Sequence, residues 1–218
     1  MIADHFPPAG LRLNTPRLQL RMPSDQDLSQ LAEAAVAGVH DPERMPFLTP
    51  WTDRTPARLA LGVIQHNWAA MAAWTPERWT FNAVVVHEDT VIGVQDLTAK
   101  DFGVARQVST GSWLTQRYQG RGLGTEMRAA VLHLAFAELG AEAAVSEAFE
   151  TSTASRGVAR RLGYRPDGTS LLAVRGEQVR ETRFRLTRED WERHRTIPVD
   201  VAGLEPCLPY FGLGELPD

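Results

Sequence analysis

The chain has 218 residues, 43% of them hydrophobic and 23% charged, with a formal net charge of −4, which suits one globular domain with an ordinary core. That charge argues against a nucleic-acid binder acting through bulk electrostatics, although it leaves room for a local basic pocket. A single cysteine, Cys207, excludes an intrachain disulfide and a multi-cysteine zinc site. No apolar run approaches the roughly 18 residues of a membrane span, and no basic-then-apolar leader opens the chain, so the sequence predicts a cytoplasmic, metal-free protein without a membrane or nucleic-acid partner.

Residues 1–10 form a Pro/Gly lead-in. Leu11, Leu13, Leu18, Leu20 and Met22 alternate with polar residues around Thr15-Pro16, which predicts a first strand broken at the proline. Ser24 caps a helix that carries Asp25 and Asp27 in its first turn and Leu28, Leu31, Ala35 and Val36 on one face, closed by Gly38. A proline-rich loop from His40 to Pro56 precedes a second helix bearing Leu59, Val63, His66, Trp68, Met71 and Trp74. Trp51, Trp68, Trp74 and Trp79 are expected in the core or along a groove wall. Trp79 to His87 and Val91 to Lys100 form an antiparallel pair around a turn at Glu88-Asp89-Thr90, and Arg106 to Leu114 forms a fourth strand.

That strand runs into a glycine turn, Gln119-Gly120-Arg121-Gly122-Leu123-Gly124-Thr125, and then into a helix from Gly122 to Leu139. Glycines permit positive φ and close approach of a ligand. The first N–H groups of the helix lack partners and carry the positive end of its dipole. Together they make an anion site, most naturally for phosphate. A dinucleotide turn would need its third glycine one residue later, and a nucleotide P-loop would need a lysine, so neither pattern fits. Beyond the turn, Ala143 to Phe149 is a strand and Ser155 to Leu162 a helix stopped by Gly163. Tyr164 to Val174 and Gln178 to Leu186 form a closing hairpin, and Thr187 with Asp190 caps a short helix through His194. Residues 1–194 therefore read as one domain. Residues 195–218 read as an extension that packs on it or on a neighbouring subunit. Apolar Leu208, Tyr210, Phe211 and Leu213 in that extension favour a homo-oligomer.

The run Q-x-x-G-x-G, Gln119 to Gly124, resembles the diphosphate signature of the GNAT acyl-CoA N-acyltransferases, and the order of elements over residues 11–190 resembles theirs. The resemblance implies an α+β (mixed α/β) fold whose twisted, mostly antiparallel central sheet is flanked by helices and splayed between its fourth and fifth strands. It also implies that coenzyme A lies with its pyrophosphate on Gln119, Gly120, Arg121, Gly122, Leu123, Gly124 and Thr125. Trp113, Leu114 and Thr115 would then hold the pantetheine and polarise the thioester carbonyl, largely through main chain. Glu150 to Tyr164 resembles the N-x-x-S…G-F/Y segment of the ribosomal-protein N-acetyltransferase branch, with Ser155 on the serine and Gly163-Tyr164 at the end. Ser152 stands where that segment has asparagine, so the polar contact to pantetheine would fall to it. Ala159 stands where many members carry the tyrosine that protonates the departing thiolate.

Three further stretches, starting at Gly38, Gly111 and Phe184, resemble a bacterial subgroup that uses succinyl-CoA. A succinyl donor needs a cation or backbone donors for its second carboxylate, and Lys100 and Arg106 are candidates. Ser155 would protonate the thiolate, cap its helix, or do both. Glu147 is the leading candidate for the base that takes the amine proton, with Asp96 beside it, while His133 lies with Glu126 on the polar side of the motif helix. The expected activity is transfer of an acetyl or succinyl group from acetyl-CoA or succinyl-CoA to a protein lysine, a protein N-terminus or a small amine. A non-catalytic acyl-CoA sensor or assembly module stays open as the alternative, because both the tyrosine and the asparagine are missing. A dinucleotide-dependent oxidoreductase fails on glycine spacing.

Overall fold

In the computed structural model, which describes residues 1–216, the stretch from Leu11 to Met22 is a hairpin rather than one interrupted strand. β1 (Arg12–Asn14) pairs antiparallel with β2 (Gln19–Arg21), and Leu13 and Leu20 are buried opposite each other. Pro16 has no N–H for a ladder and falls in the turn, where the Thr15 N–H donates to the Leu18 carbonyl at 2.9 Å. α1 (Asp25–Val36) begins at the expected cap. Ser24 Oγ accepts from the Asp27 N–H at 3.2 Å, and the Asp27 carboxylate accepts from the Ser24 N–H at 3.0 Å. α2 (Pro56–Ala72) starts with a proline in its first turn, where a missing N–H costs no helical bond.

Leu31 and Ala35 of α1 and Leu59 and Val63 of α2 pack on Val84, Val86, Val91 and Val94. Those valines belong to β3 (Arg78–His87) and β4 (Thr90–Lys100). Glu88 and Asp89 both take positive φ, 47° and 60°, the geometry of a two-residue hairpin turn. Trp68 is 53% exposed, so it is not part of the core; it borders a shallow groove between α1 and α2.

The expected fourth strand divides. After a single helical turn, α3 (Phe102–Ala105), come β5 (Gln107–Ser109) and β6 (Ser112–Leu114), separated at Thr110-Gly111. α4 (Leu123–His133) continues through a wider π turn over Leu134–Glu138 instead of running regularly to Leu139. β7 (Ala143–Phe149), α5 (Thr153–Arg161), β8 (Arg165–Val174), β9 (Glu177–Thr187) and α6 (Arg188–His194) follow. With β10 (Asp200–Ala202) at one edge, the sheet order is β10-β1-β2-β3-β4-β5-β7-β9-β8, with β6 attached to β4. Among the described residues only β5 and β7 run parallel, so the sheet is the mostly antiparallel, helix-flanked one the sequence implies.

The segment after His194 enters the body of the fold. β10 extends the sheet at β1, with Val201 opposite Leu13. A 3-10 helix over Glu205–Phe211 then buries Cys207 and Phe211 completely. Phe211 meets the Trp79 ring at 4.7 Å, and Leu208 and Leu213 pack against the same cluster. The chain itself covers these apolar side chains, so shielding them requires no second subunit. Among the described residues, no helix is long and apolar enough to cross a membrane.

Candidate active site

β5 and β7 run side by side as far as Ser109 and Val145, and the Thr110 N–H still reaches the Val145 carbonyl at 3.1 Å. Beyond that point β6 leaves β7 and pairs with β4 instead. Two residues force the parting. The Gly111 N–H donates to Asp96 Oδ1 at 2.6 Å while its carbonyl accepts from the Asp96 N–H at 2.9 Å, which draws the chain toward β4. Gly93 of β4 lies so near β6 that a Cβ there would collide with the Trp113 carbonyl oxygen. Along β6 the Thr115 N–H donates to the Ile92 carbonyl and Trp113 opposes Val94, so the alternating main-chain groups of Ser112 and Leu114 turn to the split. Of the three positions expected to act through main chain, Leu114 faces the opening, whereas Trp113 and Thr115 direct theirs to the sheet. Ser112 joins Leu114, and only the register reveals it.

The split opens into a cavity of about 580 Å³ lined by Thr110, Ser112, Ser146, Glu147, Ser152 and Ser155, with Asp96, Arg128 and Glu181 also on its wall. A second cavity, about 500 Å³, lies on the α2 side and is lined by Trp51, Arg54, His66, Asn82 and Trp113. Asp96, Gly111 and Ser112 border both, so the two spaces meet at the point where the strands part. The loop between α1 and α2 covers the junction with Phe47 and Trp51. The tip of the β8–β9 hairpin holds that loop through Arg175, whose Nε bonds Asp53 at 2.7 Å and whose Nη1 bonds the Pro42 carbonyl at 2.9 Å.

At the end of β6 the chain enters the glycine turn. Gly120 and Gly122 take φ of 73° and 80°, and Gly122 is the residue that starts α4. Among the described residues, the N–H groups of residues 120–124 find no acceptor, so a row of donors at the positive end of α4 faces outward. The turn is clamped from below by Glu126, whose carboxylate accepts from Thr15 Oγ1 at 2.7 Å and from the Arg17 N–H and Nε at 2.9 and 2.7 Å. Arg17 also reaches the Arg121 carbonyl at 3.1 Å. Glu126 is therefore buried and structural, not on a polar surface with His133. Gln119 spends its side-chain N–H groups on the Val39 and Leu114 carbonyls, both at 2.8 Å, which braces the turn. Leu123 points its side chain into the core, and Thr125 Oγ1 is buried without a partner. These residues fit a diphosphate through main chain.

The titratable groups divide between floor and rim. Burial raises the Asp96 carboxyl above the usual range, against the lowering effect of the Gly111 N–H, Arg128 and His66. Burial and the neighbouring Glu147 also raise Glu181. Glu147 itself is exposed at the cavity rim. Ser155 faces the cavity from the first turn of α5. The cap position is held by Ser152, whose hydroxyl makes no capping bond, so the expected capping role of Ser155 is not the one it has. Ala159 is buried in the core and offers no proton.

Neither Lys100 nor Arg106 is in either cavity. Lys100 is exposed at the end of β4, and Arg106 binds the Leu139 carbonyl at 3.2 Å. The cation on the cavity wall is Arg128 of α4, which the sequence reading passed over. Its signal was an arginine between Met127 and Ala130 on the apolar stripe of the motif helix. No group of three or more His, Cys, Asp or Glu side chains suited to a metal occurs among the described residues.

A family model described as an acetyltransferase (GNAT) domain matches residues 17–165. Among solved structures, a GCN5-related N-acetyltransferase from Brucella melitensis superposes with a TM-score of 0.68 at 18% identity, covering 84% of this chain and 81% of that one. RimJ of Mycobacterium smegmatis, in complex with CoA-disulfide, gives 0.63 at 17% identity, covering 82% and 87%. RimL, a ribosomal L7/L12 alpha-N-protein acetyltransferase in complex with coenzyme A, gives 0.62 at 16% identity, covering 79% and 95%. At these identities the likeness is one of fold.

Proposed function

Because the chain belongs to the acetyltransferase (GNAT) family, we propose that it transfers an acetyl or succinyl group from a coenzyme A thioester directly to a primary amine, on a protein lysine, a protein N-terminus or a small molecule. The observation that carries this reading is the parting of β6 from β7, which turns the main-chain groups of Ser112 and Leu114 to the split and leaves Ser112 on the wall of a cavity that meets a second one at Asp96. A diphosphate fits the free N–H groups of residues 120–124. The thioester carbonyl accepts from the β6 donors, and preorganised donors of this kind lower a barrier by about 3 kcal/mol each.

The amine enters through the second cavity and loses its proton to Asp96, which burial makes a stronger base than an ordinary carboxylate. Nitrogen attacks the thioester carbon, the new C–N bond forms and the C–S bond breaks. Ser155, directly or through water, gives its proton to the departing thiolate and regains one from solvent. The acceptor enters as its ammonium form and gives its first proton to water in the second cavity; Glu147 and Glu181 line only the first cavity, on the donor side.

The experiment is thermal unfolding and turnover of the wild type and Gly122→Trp with CoA, acetyl-CoA and succinyl-CoA. A ligand at 100 times its Kd adds about 2.7 kcal/mol and raises the wild-type transition by several degrees. Gly122→Trp fills the phosphate cradle, so it is expected to lose both the shift and turnover while its circular dichroism stays native. Undiminished turnover in that variant overturns the reading.

A further inference from the structure

Arg128 is 4% exposed, yet no carboxylate within ion-pairing distance neutralises it among the described residues. Its Nη1 donates to Ser146 Oγ at 3.3 Å and its Nη2 to Ser112 Oγ at 3.1 Å, while its Nε is buried with no partner at all. A guanidinium taken out of water without a counter-charge is among the costliest groups a fold can hold. Asp96 is the nearest acid in effect, but its carboxylate is committed to the Gly111 N–H and makes no ion pair with Arg128. Glu147 and Glu181 stand at the rim. The charge is therefore unspent, and it faces the cavity that receives the acyl group, beside the Ser112 main chain that faces the thioester carbonyl.

From this we infer that Arg128 is the specificity-determining residue for the acyl donor, and that the donor carries a carboxylate at the far end of a short acyl chain. The inference rests on the acyltransferase reading above and narrows its donor. A planar guanidinium takes a carboxylate by paired N–H···O bonds. Ser112 and Ser146 hold its plane against the floor of the split and take one N–H from each Nη, so the remaining Nη N–H groups are left for the incoming carboxylate. With the carbonyl on the β6 main chain and the carboxylate on Arg128, only a short linker fits between them. An unsubstituted two-carbon acyl group leaves the buried cation unpaired, which is how the site discriminates.

The test compares kcat/KM for succinyl-CoA and acetyl-CoA in the wild type, Arg128→Met and Arg128→Lys, with two amine acceptors, one lacking a carboxylate and one carrying it. The wild type is expected to prefer succinyl-CoA. Arg128→Met is expected to lose about 100-fold more with succinyl-CoA than with acetyl-CoA, and Arg128→Lys is expected to recover part of that difference. Equal losses with both donors would overturn the inference, because they are what a purely structural tie between Ser112 and Ser146 predicts. So would a wild type that prefers acetyl-CoA, or a dependence on Arg128 that appears only with carboxylated acceptors. If Arg128→Met fails to fold, Arg128→Lys together with the wild-type thermal shift for succinyl-CoA over CoA decides: no extra shift refutes the assignment. A wild type that transfers neither group refutes the acyltransferase reading itself, whereas acetyl transfer without succinyl preference refutes only the role of Arg128.

Discussion

Asp96 shows how a single side chain can be set for catalysis by its surroundings. Its backbone holds Gly111 at the start of the split, its carboxylate takes the Gly111 N–H, and it borders both cavities. Burial favours the uncharged acid, and the Gly111 N–H, Arg128 and His66 only partly oppose it, so the group titrates above the ordinary carboxylate range. A base works only when deprotonated. The kcat/KM profile is therefore expected to rise with pH and level off above that raised pKa, with an acceptor whose own ionisation is known subtracted. Asp96→Asn keeps an oxygen for Gly111 but cannot take a proton, so it should lose the limb and about 100-fold or more in rate. Glu147→Gln, at a residue that lines only the first cavity, should keep the limb. A pH–rate comparison of the two variants checks this, and an unchanged limb in Asp96→Asn would return the base role to Glu147.

Among the elements, α1 offers the clearest energetic test. Asp27 is buried, which by itself would raise its pKa, but bonds from Arg21 at 2.8 Å and from both the N–H and the hydroxyl of Ser24 bring it below the usual value. A depressed carboxyl pKa gives stability that is present above the unfolded-state pKa, about 3.9, and disappears as pH falls through the folded value. Asp27→Asn is expected to cost about 1–2 kcal/mol at pH 7, with the gap to wild type closing below pH 4. Urea unfolding at both pH values measures it; a gap independent of pH would mean the charge contributes nothing.

Local signals of this kind are what the sequence carries openly. Ser24 with Asp27, Thr55 with Pro56 and Thr187 with Asp190 each sit where helices begin, and Ala143–Phe149 has the bounds expected from its alternation. Pairing is less legible because a partner strand lies far along the chain. The hairpin at Pro16 and the transfer of β6 to β4 depend on such partners, and so does the anchoring of Glu126 by Thr15 and Arg17 across more than 100 positions. Arg128 was hidden for the same reason: a charge on an apolar helix stripe gains meaning only from the two serines brought above it by different strands.

At the scale of the molecule, the two chain ends close one end of the sheet together. Phe6 meets Trp74 and Tyr210 at 5.5 and 5.7 Å, Trp74 stacks on Trp79, and Phe211 sits between Trp74, Trp79 and the core. The indole N–H groups of Trp74 and Trp79 donate to the Tyr210 and Phe211 carbonyls, so the tail also satisfies two polar groups that would otherwise be buried alone. We propose that residues 195–216 belong to the same folding unit as the catalytic body. Phe211→Ala empties the site of a fully buried ring and should cost about 3–5 kcal/mol. None of these aromatic residues lines either cavity, so the folded fraction of the variant is expected to keep the wild-type kcat/KM. Chemical unfolding and kinetics well below the transition temperature separate the two effects. A loss below about 1 kcal/mol would show the tail to be an appendage. A full-sized loss accompanied by a fall in kcat/KM would mean that the aromatic end, through β3 and β4, also sets the width of the split.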